Sequence, residues 1–271
     1  MKAPAPAKIN LGLVVGPLRD DGKHELLTVY QRLAIADRIE LDRAGALRID
    51  GFADDTLVRD ALTALAAHAH VEPHWRVEIE KRLPVGAGLG GGSSDAATAL
   101  RLANDTLDEP LAPAALHELA ASVGADVPFF LTDGPQLGSG DGTTLEPLDL
   151  PQDFWVVVVL PRNARKPSTA SVYADFDARD GAAGWHERRA AFAAAVAAVR
   201  RPRDLAQLPA NDLASSPLAR DLRALGAFHA DVSGAGPAVY GLFHHRAAAS
   251  DARKALRPAG ETWLTAPAWY G

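Results

Sequence analysis

The chain has 271 residues, 48% of them hydrophobic, which is enough for one large domain or two modest ones around a full core. A net charge of −6 excludes a general nucleic-acid binder, and the absence of cysteine removes disulfides, zinc thiolates and thiol nucleophiles. No stretch approaches the roughly 18 apolar residues that span a bilayer, and Pro4, Pro6, Lys8 and Asn10 interrupt any leader-like core, so a cytoplasmic protein without a membrane partner is the expectation.

In chain order, Ile9–Val15 and Tyr30–Ile35 read as strands separated by a charged turn at Arg19-Asp20-Asp21-Gly22, and Ile39–Ile49 reads as further short strands. Thr56–Ala69 shows helical spacing of Leu57, Ala61, Leu62 and Leu65. Trp75–Arg82 alternates Val77 and Ile79 with Arg76, Glu78 and Glu80, the pattern of a half-exposed antiparallel strand. A helix with Ala97, Leu100 and Ala103 on its inner face follows, and another over Leu111–Val123. Near Pro151 the texture changes, and a domain boundary is placed there, between residues 1–151 and 152–271. Phe154–Leu160 is an apolar run that suits a buried strand; His186–Arg200 and Ala214–Leu225 read as helices, and Ala238–Phe243 as a final strand. There is no internal repeat.

Between the strand at Trp75–Arg82 and its following helix lies Pro84-Val85-Gly86-Ala87-Gly88-Leu89-Gly90-Gly91-Gly92-Ser93-Ser94. Five of the seven residues from Gly86 to Gly92 are glycine, so positive φ is cheap and no Cβ keeps backbone N–H groups away from an anion. Ser93 and Ser94 stand where they could cap the helix, whose unpaired amides and positive dipole end favour a phosphate. Gly86 to Gly91 also satisfies the dinucleotide pattern G-x-G-x-x-G, but the strand before it is not of the buried parallel kind, and no Gly-Lys-Ser/Thr closes the run as a Walker loop requires.

Three further clusters carry possible chemistry. Strand alternation puts Lys8 and Asn10 on one face, either lining a pocket or, for Lys8, snorkelling to water. Asp126, in Gly124-Ala125-Asp126-Val127-Pro128-Phe129, is a turn or capping residue or else a carboxylate that accepts a proton from an attacking hydroxyl. His24, in Asp21-Gly22-Lys23-His24-Glu25-Leu26, either touches a ligand edge or decorates a turn. A second glycine loop, Ser233-Gly234-Ala235-Gly236-Pro237, is open to both a tight-turn and an active-site reading.

Taken together and in this order, these segments resemble the GHMP kinase superfamily, and within it the family of 4-diphosphocytidyl-2-C-methyl-D-erythritol kinases. The resemblance implies an α+β, two-lobed fold, with an N-terminal lobe like ribosomal protein S5 domain 2, a ferredoxin-like C-terminal lobe, and ligands in the cleft between. It implies transfer of the γ-phosphate of ATP, with Mg²⁺, to the 2-hydroxyl of the cytidine diphosphate sugar alcohol in the methylerythritol phosphate route to isoprenoids. Lys8 and Asp126 would form the catalytic pair. Pro84, Gly86, Ala87, Gly88, Leu89, Gly90, Gly91, Gly92, Ser93, Ser94 and Thr56 would bind ATP, with Ser94 meeting phosphate or Mg²⁺. Asn10, Lys23, His24, Thr169 and Tyr173 would bind the second substrate; the partners implied are these small molecules alone, with no nucleic acid, for a monomer or homodimer.

The sequence departs from the family at two of these positions. Lys23 stands where relatives carry a tyrosine that stacks on cytosine, so looser cytidine binding is expected; Thr56, in Asp55-Thr56-Leu57, stands where relatives have an asparagine that helps bind adenine. Another small-molecule GHMP kinase, acting for example on homoserine, would share the cradle without needing His24 or Tyr173. A homologue that binds nucleotide without catalysis would keep the glycines and lose Lys8 or Asp126.

Overall fold

In the computed structural model, which describes residues 1–52, 56–162, 164 and 168–268, the chain begins with a hairpin of two long strands, β1 (Lys2–Leu18) and β2 (His24–Arg43). Both faces of the hairpin are covered, which is why Ala7 to Val15 is apolar or small at most positions instead of strictly alternating. The two separate strands expected over Tyr30–Ile35 and from Ile39 onward are one continuous strand. The charged Asp37 between them is buried and ion-paired, so it does not break the ladder.

A short β3 (Arg48–Asp50) leads to helix α1 (Leu57–His68) and then β4 (Trp75–Glu80), parallel to β3 and antiparallel to β2. Val77 and Ile79 of β4 face inward while Arg76, Glu78 and Glu80 are exposed, so its alternation matches a sheet covered on one side there. Helix α2 (Gly91–Asn104), α3 (Pro113–Val123) and a 3-10 turn at Pro128–Leu131 precede β5 (Gln136–Gly140) and β6 (Thr144–Pro147). The first sheet runs β3-β4-β2-β5-β6, with β1 along the other edge of β2. Leu62, Leu65, Leu100 and Phe129 from the helical layer meet Ile39, Leu41, Val77 and Ile79 of the sheet in the first core.

The second lobe comprises β7 (Trp155–Pro161), α4 (Thr169–Ala178), α5 (Trp185–Ala198), α6 (Pro217–Ala224), β8 (His229–Val232), β9 (Val239–Phe243), α7 (Arg246–Leu256) and β10 (Gly260–Thr265). Its sheet, β10-β7-β9-β8, is antiparallel throughout, the order of a ferredoxin-like βαββαβ unit. The α+β, two-lobed fold is therefore present. Strands β5, β6, β8 and β10 and helices α4 and α7 had no counterpart in the sequence reading, which took the residues of β8 as part of the second glycine loop. α4 buries little beyond Val172 and Phe176, and β5 is built on two glycines and a serine, so neither carries a strong apolar period.

The lobes share one core. Ile9, Leu11, Val29 and Leu33 on the outer face of the hairpin pack with Phe192 of α5, Val156 and Val158 of β7 and Tyr240 of β9. The segment after β10 then returns to the first lobe. Ala34 N–H donates to Ala266 O and Ala268 N–H to Arg32 O, filling the gap along β2 between the stretches paired to β5 and β4.

Candidate active site

From the end of β4 the chain enters the glycine loop, in which Gly86, Gly88 and Gly90 take φ of 69°, 82° and 70°. Left-handed residues at every second position turn successive N–H groups toward one side, the geometry of an anion nest. Gly90 is the N-cap of α2, with no side-chain cap, and the first helical bond runs from Ser94 N–H to Gly90 O at 2.8 Å. Ser93 and Ser94 therefore lie inside the first turn instead of capping it. Glycine takes the cap because a Cβ at Gly90 would stand 2.9 Å from both Lys8 Cγ and Phe130 Cζ. The amides of Gly91, Gly92 and Ser93 precede that first bond and point out of the positive end of α2.

The loop is held from both lobes. Lys8 N–H donates to Leu89 O, Ala238 N–H to Ala87 O, and the Ser233 hydroxyl to Gly88 O at 2.8 Å. The second glycine loop thus lies directly against the first, and a Cβ on Gly88 would fall 2.4 Å from Ser233 O. Asn211 steadies this second loop by donating from its amide nitrogen to Val232 O and Gly234 O.

Beside the loops, the Lys8 ammonium donates to Asn10 Oδ1 at 2.7 Å and stands 3.2 Å from Asp126 Oδ2. Asn10 in turn donates to Thr28 Oγ1, which donates to Gly12 O, so the polar file across β1 and β2 is satisfied to its end. The Lys8 side chain is 5% exposed and that of Asp126 33%, which leaves the carboxylate as the reachable member. Tyr30, opposite Asn10 in the hairpin register, is buried beside Asp126. Burial first, then the neighbouring Asp126, pushes its phenol well above the ordinary range, so it stays neutral.

A cavity of about 750 Å³ joins these features. Lys8, Asn10, Asp126, Thr56, Thr169, Tyr173, Pro84 and the loop from Gly86 to Ser93 all line it. Lys23, His24 and Ser94 are not on its wall. Lys23 is exposed and pairs with Asp141 at 2.6 Å. His24 is buried behind Tyr173, its ring stacked at 4.8 Å and its Nε2 2.8 Å from Asp177 Oδ1. Ser94 is fully buried, its hydroxyl without a hydrogen-bond partner among the described residues. Thr56 precedes α1 as its N-cap residue without making a side-chain cap bond; Asp55 beside it lies outside the described residues.

Tyr30, Lys81 and Asp141 also line the cavity and were not among the sequence expectations. Pairing β1 against β2 would have put Tyr30 opposite Asn10, but Lys81 and Asp141 gave no motif signal. Partial burial raises the Asp141 carboxyl, but hydrogen bonds from Lys23 and Thr143 outweigh it and hold it at about 2. Burial, helped by Asp126, pushes the Tyr173 phenol up to about 12.

Two braced glycine loops, a helix start and a lysine–carboxylate pair in one cleft define a phosphotransferase of the GHMP kinase class. Residues 56–134 match the GHMP kinases N terminal domain and residues 212–261 the GHMP kinases C terminal domain. The chain is 37% identical to the 4-diphosphocytidyl-2-C-methyl-D-erythritol kinase of Salinispora arenicola, over 94% of this chain and 85% of the relative. It is 38% identical to that of Solidesulfovibrio magneticus, over 97% and 95% of the two chains. A crystal structure of 4-(cytidine 5'-diphospho)-2C-methyl-D-erythritol kinase superposes with a TM-score of 0.79 at 33% identity, covering 100% of both chains. The Methanococcus jannaschii mevalonate kinase, at 13% identity and a TM-score of 0.77 over 99% and 98%, shares the fold. The chain belongs to the 4-diphosphocytidyl-2-C-methyl-D-erythritol kinase family, within the ATP-dependent GHMP kinases.

Proposed function

We propose that the protein transfers the γ-phosphoryl group of ATP to the 2-hydroxyl of 4-diphosphocytidyl-2-C-methyl-D-erythritol, in the methylerythritol phosphate route to isoprenoid precursors. The observation that carries this reading is the Lys8–Asp126 pair, 3.2 Å apart, in the same cavity as the glycine loop. The alternative of a nucleotide-binding homologue without catalysis sits poorly with both residues being present and paired.

Asp126 Oδ2 orients the acceptor hydroxyl and takes its proton as the hydroxyl oxygen forms a bond to the γ-phosphorus. The bond from that phosphorus to the bridging oxygen of ADP breaks, and ADP leaves. Lys8, held by Asn10, keeps Asp126 in register and offsets the negative charge on the moving phosphoryl group. Tyr30, a buried neutral phenol beside Asp126, limits the orientations of the carboxylate. The loop amides and the start of α2 hold the phosphate chain, and Thr56 lies on the wall assigned to the adenine. Thr169 and Tyr173, with His24 behind the ring, form the wall assigned to the cytidyl group. In this division residues 1–151 grip ATP, and 152–271 supply the brace and much of the cytidyl wall.

Magnesium fits the donor set in one manner. Among the described residues no group of three His, Cys, Asp or Glu stands ready to cage a metal, which suits an ion that keeps its waters and binds mainly to substrate phosphates. Ser94, which the resemblance offers as a metal contact, is fully buried and off the cavity wall, and is not assigned to the ion. When bound, Mg²⁺ would offset charge on the phosphates. We place the reaction in the cytoplasm, where ATP is supplied; among the described residues no helix is long and apolar enough to cross a membrane.

The test is ADP formation with a panel of alcohols. Turnover with the cytidyl erythritol, and little with mevalonate or homoserine, is the expected result. Turnover with homoserine alone would reassign the chain within its superfamily, and none with any acceptor would remove the catalytic reading.

A further inference from the structure

Three charged side chains outside the catalytic pair are buried together where the glycine loop begins and ends. Lys81 Nζ donates to Asp37 Oδ2 at 2.6 Å and to Asp95 Oδ2 at 2.7 Å; both carboxylates are fully buried, and the Lys81 side chain is 16% exposed. Each comes from a different element. Asp37 lies within β2, Lys81 directly follows β4, and Asp95 stands just past the first turn of α2. The other oxygen of Asp37 accepts from the backbone N–H groups of Arg82 and Leu83, tying down the entry to the loop. At the exit, the Lys81 ammonium lies against Gly91, 3.4 Å from where its Cβ would be.

A loop this rich in glycine has little of its own to set its shape, and an unrestrained one would lose much conformational entropy on closing around a ligand. Two carboxylates taken out of water are tolerated only when their charge is met by close donors. Here one ammonium lies between the two, and two backbone amides also donate to Asp37. Their separation therefore sets that of the two loop ends.

Resting on the nucleotide-binding part of the function proposed above, we infer that Asp37, Lys81 and Asp95 form a positioning staple across the glycine loop. The staple fixes the span at which the loop amides converge on a phosphate chain. Lys81 acts through the loop and not by touching the base or sugar.

The test is binding to the full chain, by calorimetry, of the non-hydrolysable ATP analogue AMP-PNP with Mg²⁺ and, separately, of adenosine. Lys81→Met should weaken AMP-PNP about tenfold or more and adenosine less than twofold, and Lys81→Arg should recover part of the loss. Removing the ammonium from between two buried carboxylates can prevent folding, so Asp95→Asn, which leaves the Asp37 contact, is the second variant. It should weaken AMP-PNP selectively by about threefold. Equal losses for both ligands would mean that Lys81 contacts the nucleoside, and losses that only follow a lowered melting temperature would mean a merely structural role; either overturns the staple, as does unchanged affinity. These measurements use no acceptor alcohol, so a failed ADP assay leaves them standing. A wild-type chain that binds neither ligand would overturn the nucleotide reading and the staple with it.

Discussion

At 5% exposure the Lys8 side chain has given up most of its water, and in exchange it has Asn10 Oδ1 at 2.7 Å and Asp126 Oδ2 at 3.2 Å. Charge aimed in advance at a developing negative centre acts most strongly where water is excluded, so Lys8→Ala should cost on the order of 3 kcal/mol, about a hundredfold in kcat. Asp126→Asn keeps the shape and removes the proton acceptor, and a loss of similar size in kcat is expected; near-normal turnover of both variants would reject the pair. Lys23 poses a different question, because its ammonium is spent on Asp141 at 2.6 Å at the edge of the cavity. An aromatic ring there can stack on a base, worth roughly 1–3 kcal/mol, whereas a lysine stem offers only packing. Lys23→Tyr should therefore lower KM for the cytidyl substrate by about fivefold or more while leaving KM for ATP in place. An unchanged or higher KM would show that the Lys23–Asp141 pair already does what the ring does elsewhere.

Among the elements, the two glycine loops behave as one unit, because each supplies the other's packing surface. Gly88 shows how tightly. Its φ of 82° is left-handed, and any Cβ would meet two backbone oxygens, Ser233 O at 2.4 Å and Gly236 O at 2.9 Å, neither of which can move without shifting the second loop. Gly134 has a φ of 67° with nothing within 4 Å of a Cβ, so it isolates the backbone strain. Gly134→Ala should cost about 1 kcal/mol of stability with activity retained. Gly88→Ala should cost at least about 2 kcal/mol and raise KM for ATP severalfold, because the amides assigned to the phosphates move with it. Equal melting temperatures and kinetics for the two variants would refute the bracing of one loop by the other.

On the scale of the molecule, the lobes are joined through the outer face of the β1–β2 hairpin, so burial there belongs to neither lobe alone. His229 of β8 sits in this junction, buried beside the Leu11 backbone of the first lobe, with Nε2 3.1 Å from the Tyr240 hydroxyl. Burial lowers its pKa from 6.5 to about 4, against an opposing pull from the Leu11 backbone. As pH falls from 6.5 toward 4, the unfolded chain takes up a proton that the folded chain refuses. Stability is thus fully present above 6.5 and declines on acidification, by up to about 3 kcal/mol from this residue. Urea melts at neutral pH and near pH 5 should show that decline in the wild type and a smaller one in His229→Asn. An identical pH dependence in both would remove His229 as its source.

Local chemistry was enough to mark what depends on neighbouring residues along the chain. The density of glycine before α2, the same-face placement of Lys8 and Asn10, the half-exposed alternation of β4 and the apolar run of β7 all follow from dihedral freedom and strand or helix period. The motifs in their order also sufficed to place the family. What depends on distant residues meeting was not written in any one segment. Asp37 reads as a break in a strand until Lys81 and Asp95 arrive to neutralise it, and Tyr30 becomes a partner of Asp126 only when the chain has folded back across α3. Gly90 instead of either serine caps α2 because Lys8 and Phe130 leave no room for a side chain there. Sequence alone marked the groups to which phosphate binding and proton transfer are assigned. Only the tertiary structure decided which of them share a cavity, because ion pairing, burial and close approach are properties of chain segments far apart in order and brought together by the common core.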